Sequence, residues 1–171
     1  MERFDVKRGL MKQIMADGGL SVLGKKYFDN VEAEGETSFS GSHDIMISIK
    51  AHFSENGALV IDVNNVPPNF DDPEAMKIAQ DSRRRWTQFL DEATGYNSKQ
   101  RGDKAKEWAK KASKAKSAVN AARHFMKMSS NVSDEVKDQA ESLIEEIESA
   151  LEQGENTRAA GRGEKLDKLF K

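Results

Sequence analysis

The chain has 171 residues, 33% of them charged and only 37% hydrophobic, with a formal net charge of -2 and no cysteine. Lacking cysteine, it has no disulfide scaffold, no thiolate zinc site and no thiol nucleophile. So lean an apolar content predicts a core in part of the chain and thinly buried helices in the rest.

The first ten residues lack a basic stretch followed by an apolar run, and no apolar stretch approaches the roughly 20 residues that span a bilayer. A soluble, cytoplasmic protein with no membrane partner is expected. Phe4 and Val6 alternate with Asp5 and Lys7, a short strand pattern ended by Arg8-Gly9. Leu20, Leu23, Tyr27 and Phe28 recur at helical spacing after the Asp17-Gly18-Gly19 turn. The stretch 31–39 reads as a strand interrupted by Gly35. Next come two alternating strands, with Ile45, Ile47 and Ile49 expected on the inner face of one and Leu59, Ile61 and Val63 on that of the other. Asn56-Gly57 supplies the tight turn between them.

Pro67-Pro68 ends the sheet, because neither residue donates to a ladder. Asp72-Pro73-Glu74 then carries a capping residue, a proline suited to the first helical position and an acid that complements the helix dipole. Met76, Ala79, Trp86, Phe89, Leu90 and Ala93 form the stripe of this helix, and Gly95 stops it. Residues 103–128 combine high helix propensity with few large apolar groups, chiefly Trp108, Val119, Phe125 and Met126. Ser133 reopens a helix whose narrow stripe is Val136, Ala140, Leu143, Ile144, Ile147 and Leu151. Residues 155–171 read as a flexible tail with a short amphipathic end. The expected architecture is α+β: a two-layer antiparallel sheet packed by two helices over 1–96, a C-terminal helical pair over 97–154, then the tail.

Lys7-Arg8-Gly9, the Tyr27-Phe28 helix end and above all the run from Phe89 through Leu90-Asp91-Glu92-Ala93-Thr94-Gly95 to Arg101 carry a resemblance. Over roughly residues 1–112 the chain is similar to an archaeal family known only as a domain of unknown function. The resemblance implies a single small α+β domain and an archaeal origin, and it implies no activity.

No residue pattern designates a catalytic group, a metal site or a cofactor. His43 and His52 lie about 30 Å apart along an extended chain, so they do not converge, and exposed or partly packed imidazoles are expected. Asp71, Asp72 and Glu74 lack the spacing of a calcium loop, Gly18-Gly19 and Gly24 lack a phosphate-loop lysine, and Ser38, Ser40 and Ser42 lack a nucleophile elbow. An enzyme would need a pocket that the sequence does not reveal.

The strongest signal is a charge inversion. Between 99 and 127 ten Lys/Arg face only Asp103 and Glu107, a local balance of +8, whereas between 134 and 155 nine acids face only Lys137, a balance of -8. A helix bearing Arg101, Lys104, Lys106, Lys110, Lys111, Lys114 and Lys116 gains from a polyanion, through contacts that release counterions. The leading expectation is therefore a non-enzymatic binding protein whose basic helix engages nucleic acid or the ribosome. The alternative is a protein-interaction or self-associating module that docks through Val136, Leu143, Ile144, Ile147 and Leu151 of the acidic helix. A third arrangement pairs the basic helix with the acidic one and satisfies both internally.

Overall fold

Five strands and six helices make up the computed structural model, which describes residues 1–171. The strands β1 (Glu2–Phe4), β2 (Asn30–Ala33), β3 (Ser38–His43), β4 (Met46–Phe53) and β5 (Leu59–Asn65) form one antiparallel sheet in the order β1-β5-β4-β3-β2. The helices α1 (Leu10–Ala16) and α2 (Leu20–Lys25) connect the two edge strands, and α3 (Pro73–Thr94) follows β5. The expected α+β class with an antiparallel sheet is the observed one. The chain divides into two units, Met1–Asp103 and Lys104–Lys171.

In the first unit the Asn56-Gly57 turn joins β4 and β5, with the Gly57 amide donating to the Ser54 carbonyl at 2.8 Å. The inner face of β4 departs from simple alternation. Met46 pairs with Asn65 and Ser48 with Asn64, so Ile47 is an extra residue on β4. Such a bulge reverses the side-chain phase. Met46 is thereby 3% exposed and Ile49 fully buried, while Ile47, expected inside, is 53% exposed. The stretch 31–39 is likewise two strands rather than one, folded back so that Ala33 pairs with Phe39.

Three helices cover the sheet where two were expected. The additional one, α1, is seven residues long and buries Ile14, too short a run for its periodicity to stand out. Phe28, Phe39 and Phe89 form the aromatic centre of this core with Leu20, Ile49, Leu59 and Ile61, and Tyr27 and Trp86 pack against it. Asp72 accepts from the Glu74 amide at 2.9 Å and Pro73 opens α3, as the local chemistry requires. Gly95 ends that helix at φ 74°, a left-handed conformation that glycine adopts without a Cβ clash.

The second unit contains α4 (Ser98–Met128) from Lys104 onward, α5 (Asp134–Glu152) and α6 (Asn156–Lys168). It is a three-helix arrangement, not the expected pair with a loose tail. Ala115, Val119 and Ala122 of α4, Ala140, Ile144 and Ile147 of α5, and Ala159 and Leu166 of α6 share one buried cluster. The glycines and arginines of 156–163 conceal the last helix in the sequence. Gly163 is in fact a contact point: a Cβ there would lie 3.3 Å from the Ala118 Cβ and 3.5 Å from the Ala115 Cα. Removing the side chain lets the two helix backbones approach closely. No helix is long and apolar enough to cross a membrane.

Candidate functional site

The cations expected to form one binding face are divided by the fold. Arg101 is 8% exposed; its guanidinium donates to Asp91, to the Tyr96 carbonyl and, at 3.1 Å, to the Ser98 hydroxyl. It is a structural arginine and leaves the candidate interface. Lys111 contacts Glu107 at 2.8 Å and Thr157 at 3.1 Å, Lys114 pairs with Glu164 at 2.6 Å, and Lys104 lies 3.9 Å from Glu107. The Glu164 carboxylate holds the Lys114 ammonium above its ordinary pKa, and Lys114 in turn holds Glu164 below the usual carboxylate range. Arg123 meets Glu148 of α5 at 2.9 Å, so the basic and acidic helices do pair with each other.

A polar stripe runs along the solvent side of α4. Lys106, Lys110, Ser113, Ser117, Asn120, His124 and Lys127 are all exposed and recur at three- and four-residue steps, with Lys116 exposed at its flank. From Trp108 to Met128 the helix contains no acid. Lys110, Lys116 and Lys127 take part in none of the ion pairs that occupy the other cations. At about 1.5 Å per residue, the stripe from Lys106 to Lys127 runs for about 30 Å.

The proposed interaction face of α5 is spent within the chain. Ile144 and Ile147 are 4% and 0% exposed, Leu143 and Leu151 pack against the same cluster, and Val136 is half-buried. With Ile144 and Ile147 sealed in the cluster shared with α4 and α6, and Leu143 and Leu151 packed against it, these four do not present the continuous apolar anchor that was expected. The deciding element is α6, whose docking the sequence concealed.

The run from Thr94 to Arg101 proves to be a corner between α3 and α4. The Thr94 hydroxyl donates to the Leu90 carbonyl at 2.6 Å and accepts from the Tyr96 amide at 3.2 Å. Asn97 and Gln100 then cap α4 reciprocally, each side chain accepting from the other's amide, at 2.9 and 3.0 Å. The Lys7 amide bonds to the Thr94 carbonyl at 2.9 Å, which ties the β1–α1 connection to this corner.

Two further features escape sequence reasoning. His43, expected to be exposed or partly packed, is 4% exposed: its Nδ1 lies 2.8 Å from Asp29 and its Nε2 3.3 Å from Asp44. Nε2 is buried without a hydrogen-bond partner, and the Nδ1–Asp29 hydrogen bond ties the end of β3 to the α2–β2 loop. Its signal was weak because Asp29 is fourteen residues away. His52 pairs with Ser38 at the other end of β3, so the two imidazoles do not meet. The second feature is a cleft between the sheet and α3, lined in part by Trp86 and Arg83.

These observations define an α+β domain with a long capped helix leading into a helical extension. The chain belongs to the family described as a domain of unknown function, DUF5611, whose match spans residues 1–107. No curated protein and no solved structure matches it.

Proposed function

We propose that the protein is a non-enzymatic nucleic-acid-binding protein that tracks the phosphate backbone with the outward stripe of α4. The observation that carries this reading is the acid-free, exposed face bearing Lys110, Lys116 and Lys127 with Ser113, Ser117 and Asn120 between them. Lysines supply the counterion-release term, and hydroxyl and amide groups donate to phosphate oxygens without reading sequence. The exposed acids of α5, among them Asp138, Glu141 and Glu145, repel a polyanion and restrict its approach to the α4 side. Docking of a partner protein through α5 is less favoured, because Ile144 and Ile147, the centre of its apolar stripe, are already buried.

The test is the salt dependence of binding to a fluorescent single-stranded and a duplex oligonucleotide. Replacing Lys110, Lys116 and Lys127 together by Gln should reduce the magnitude of the log–log salt slope by about 2 for single strands and about 3 for duplex. Far-UV circular dichroism should be unchanged, since none of the three belongs to an intrachain ion pair. An unaltered slope, or wild-type protein that fails to bind either oligonucleotide at low salt, overturns the reading.

A further inference from the structure

The first unit contains a second, independent feature with the chemistry of a small-molecule site. Phe89, Leu90 and Ala93 of α3 are sealed in the core, but beyond Trp86 the helix borders an open cleft of about 380 Å³. That volume falls within the range of about 300–1,000 Å³ typical of ligand pockets. Met46, Ile61, Val63 and Trp86 provide apolar walls. The segment leaving β5 supplies the rim, where Phe70 is 72% and Val66 46% exposed. Together with Met1, three of the eight large exposed hydrophobic residues of the whole chain border this one cleft. Such clustering, unlike scattered apolar residues, marks a surface that something covers.

The charge at the cleft narrows what that something is. Arg83, Arg84 and Arg85 are consecutive, and Asp81 engages two of them: it contacts Arg84, and it accepts from Arg85 at 2.8 Å. Asp81 is accordingly held below the usual carboxylate range, by its hydrogen bond from Arg85 first. Arg83 alone of the three lines the cleft and has no carboxylate partner. Ser82 beside it donates its hydroxyl to the Ile78 carbonyl at 2.9 Å. Glu2 is the one acid of the lining, and the nearby amino terminus is engaged at 3.1 Å by Asp62.

We propose that the cleft between α3 and the β1–β5–β4 side of the sheet binds a small amphipathic carboxylate, its apolar body against Trp86, Ile61 and Val63 and its carboxylate on Arg83. A planar guanidinium matches a carboxylate bidentately, and Arg83, itself exposed, offers that match at the open edge of the cleft. The aromatic ring of Phe70 stands at the mouth, over the apolar body of the ligand.

The test uses decanoate and its uncharged counterpart decanol, each titrated into the full chain while amide and Trp86 indole shifts are followed by NMR. Saturable shifts should concentrate at Met46, Ile61, Val63 and Trp86, with decanoate bound more tightly than decanol. Arg83→Gln should weaken decanoate roughly tenfold and leave decanol within about twofold. Arg84→Gln, at a guanidinium held by Asp81, should change neither, and Glu2→Gln should strengthen decanoate by removing a like charge. The proposal is overturned if neither compound saturates, if the shifts lie outside the cleft, or if Arg83→Gln leaves the preference for decanoate over decanol intact.

Discussion

Two glycines of α6 should respond in opposite directions to an added side chain. At Gly161 a Cβ meets nothing within 4 Å, whereas at Gly163 it stands 3.3 Å from the Ala118 Cβ. Gly161→Ala removes only the backbone entropy cost of glycine in a helix and should stabilise α6 by about 0.5–1 kcal/mol. Gly163→Val gains only about 0.3 kcal/mol in propensity. Against this, two methyl groups are driven beyond a Cβ that already touches Ala118 and Ala115, and overpacking of this kind costs about 1–3 kcal/mol. The balance is a loss of about 0.7–2.7 kcal/mol, which on local opening converts to amide exchange faster by roughly 3- to 85-fold. Native-state hydrogen exchange at the Ala159 and Leu166 amides reads this directly and needs no two-state assumption for the whole chain. Gly161→Ala should slow the same amides by roughly 2- to 5-fold. If Gly163→Val slows exchange or leaves it unchanged, α6 is not seated on Ala115 and Ala118, and 155–171 reverts to the loose tail its composition suggests.

Phe89→Ala removes a fully buried ring in contact with Tyr27, Phe28, Phe39 and Trp86 and should cost roughly 3–5 kcal/mol in urea unfolding; a loss below about 1 kcal/mol would mean that α3 presents another face. Arg101→Met removes a charged donor from Asp91, the Tyr96 carbonyl and the Ser98 hydroxyl and should lower stability by about 1–3 kcal/mol. Oligonucleotide affinity should be untouched, and a large loss of affinity in a folded variant would return Arg101 to the interface. Burial, and next its hydrogen bond to Glu92, push the Tyr27 phenol up to about 12, while Lys26 at 2.7 Å and then Tyr27 hold Glu92 below the usual carboxylate range. Because the Tyr27 value is raised in the folded state, its stabilisation is complete below pH 10 and declines as pH climbs towards 12. The Glu92 contribution has the opposite sense: it is present above pH 4.5 and lost as acid protonates the folded carboxylate. Ultraviolet titration should show a phenol ionising near 12 that Tyr27→Phe abolishes. Glu92→Gln should lower that midpoint only part of the way, since burial is the larger cause; a full return to 10 would reverse the order of causes.

Features governed by neighbours along the chain were legible in the sequence. The Asn56-Gly57 turn, the Asp72 cap with Pro73, the Ser133 cap and the Gly95 stop each depend on a few adjacent residues, and each stands where the local chemistry places it. The alternation of Leu59 and Ile61 and the stripe through Phe89, Leu90 and Ala93 are periodicities, and they identified the faces that enter the core.

What the tertiary structure decided depends on residues distant in sequence. Ile47 is outside because the pairing of Met46 with Asn65 and of Ser48 with Asn64 inserts one residue into β4, and no local property of Ile47 records that register. The +8 segment suggested a continuous cationic surface, yet Arg101, Lys114 and Arg123 are claimed by Asp91, Glu164 and Glu148 once folding brings those acids alongside. Gly163 is chemically identical to a linker glycine until Ala115 and Ala118 approach it. Composition and period encode which residues prefer burial, but which partners they meet is set by long-range contacts, and those contacts determine which lysines stay in solvent and where a cleft stays open.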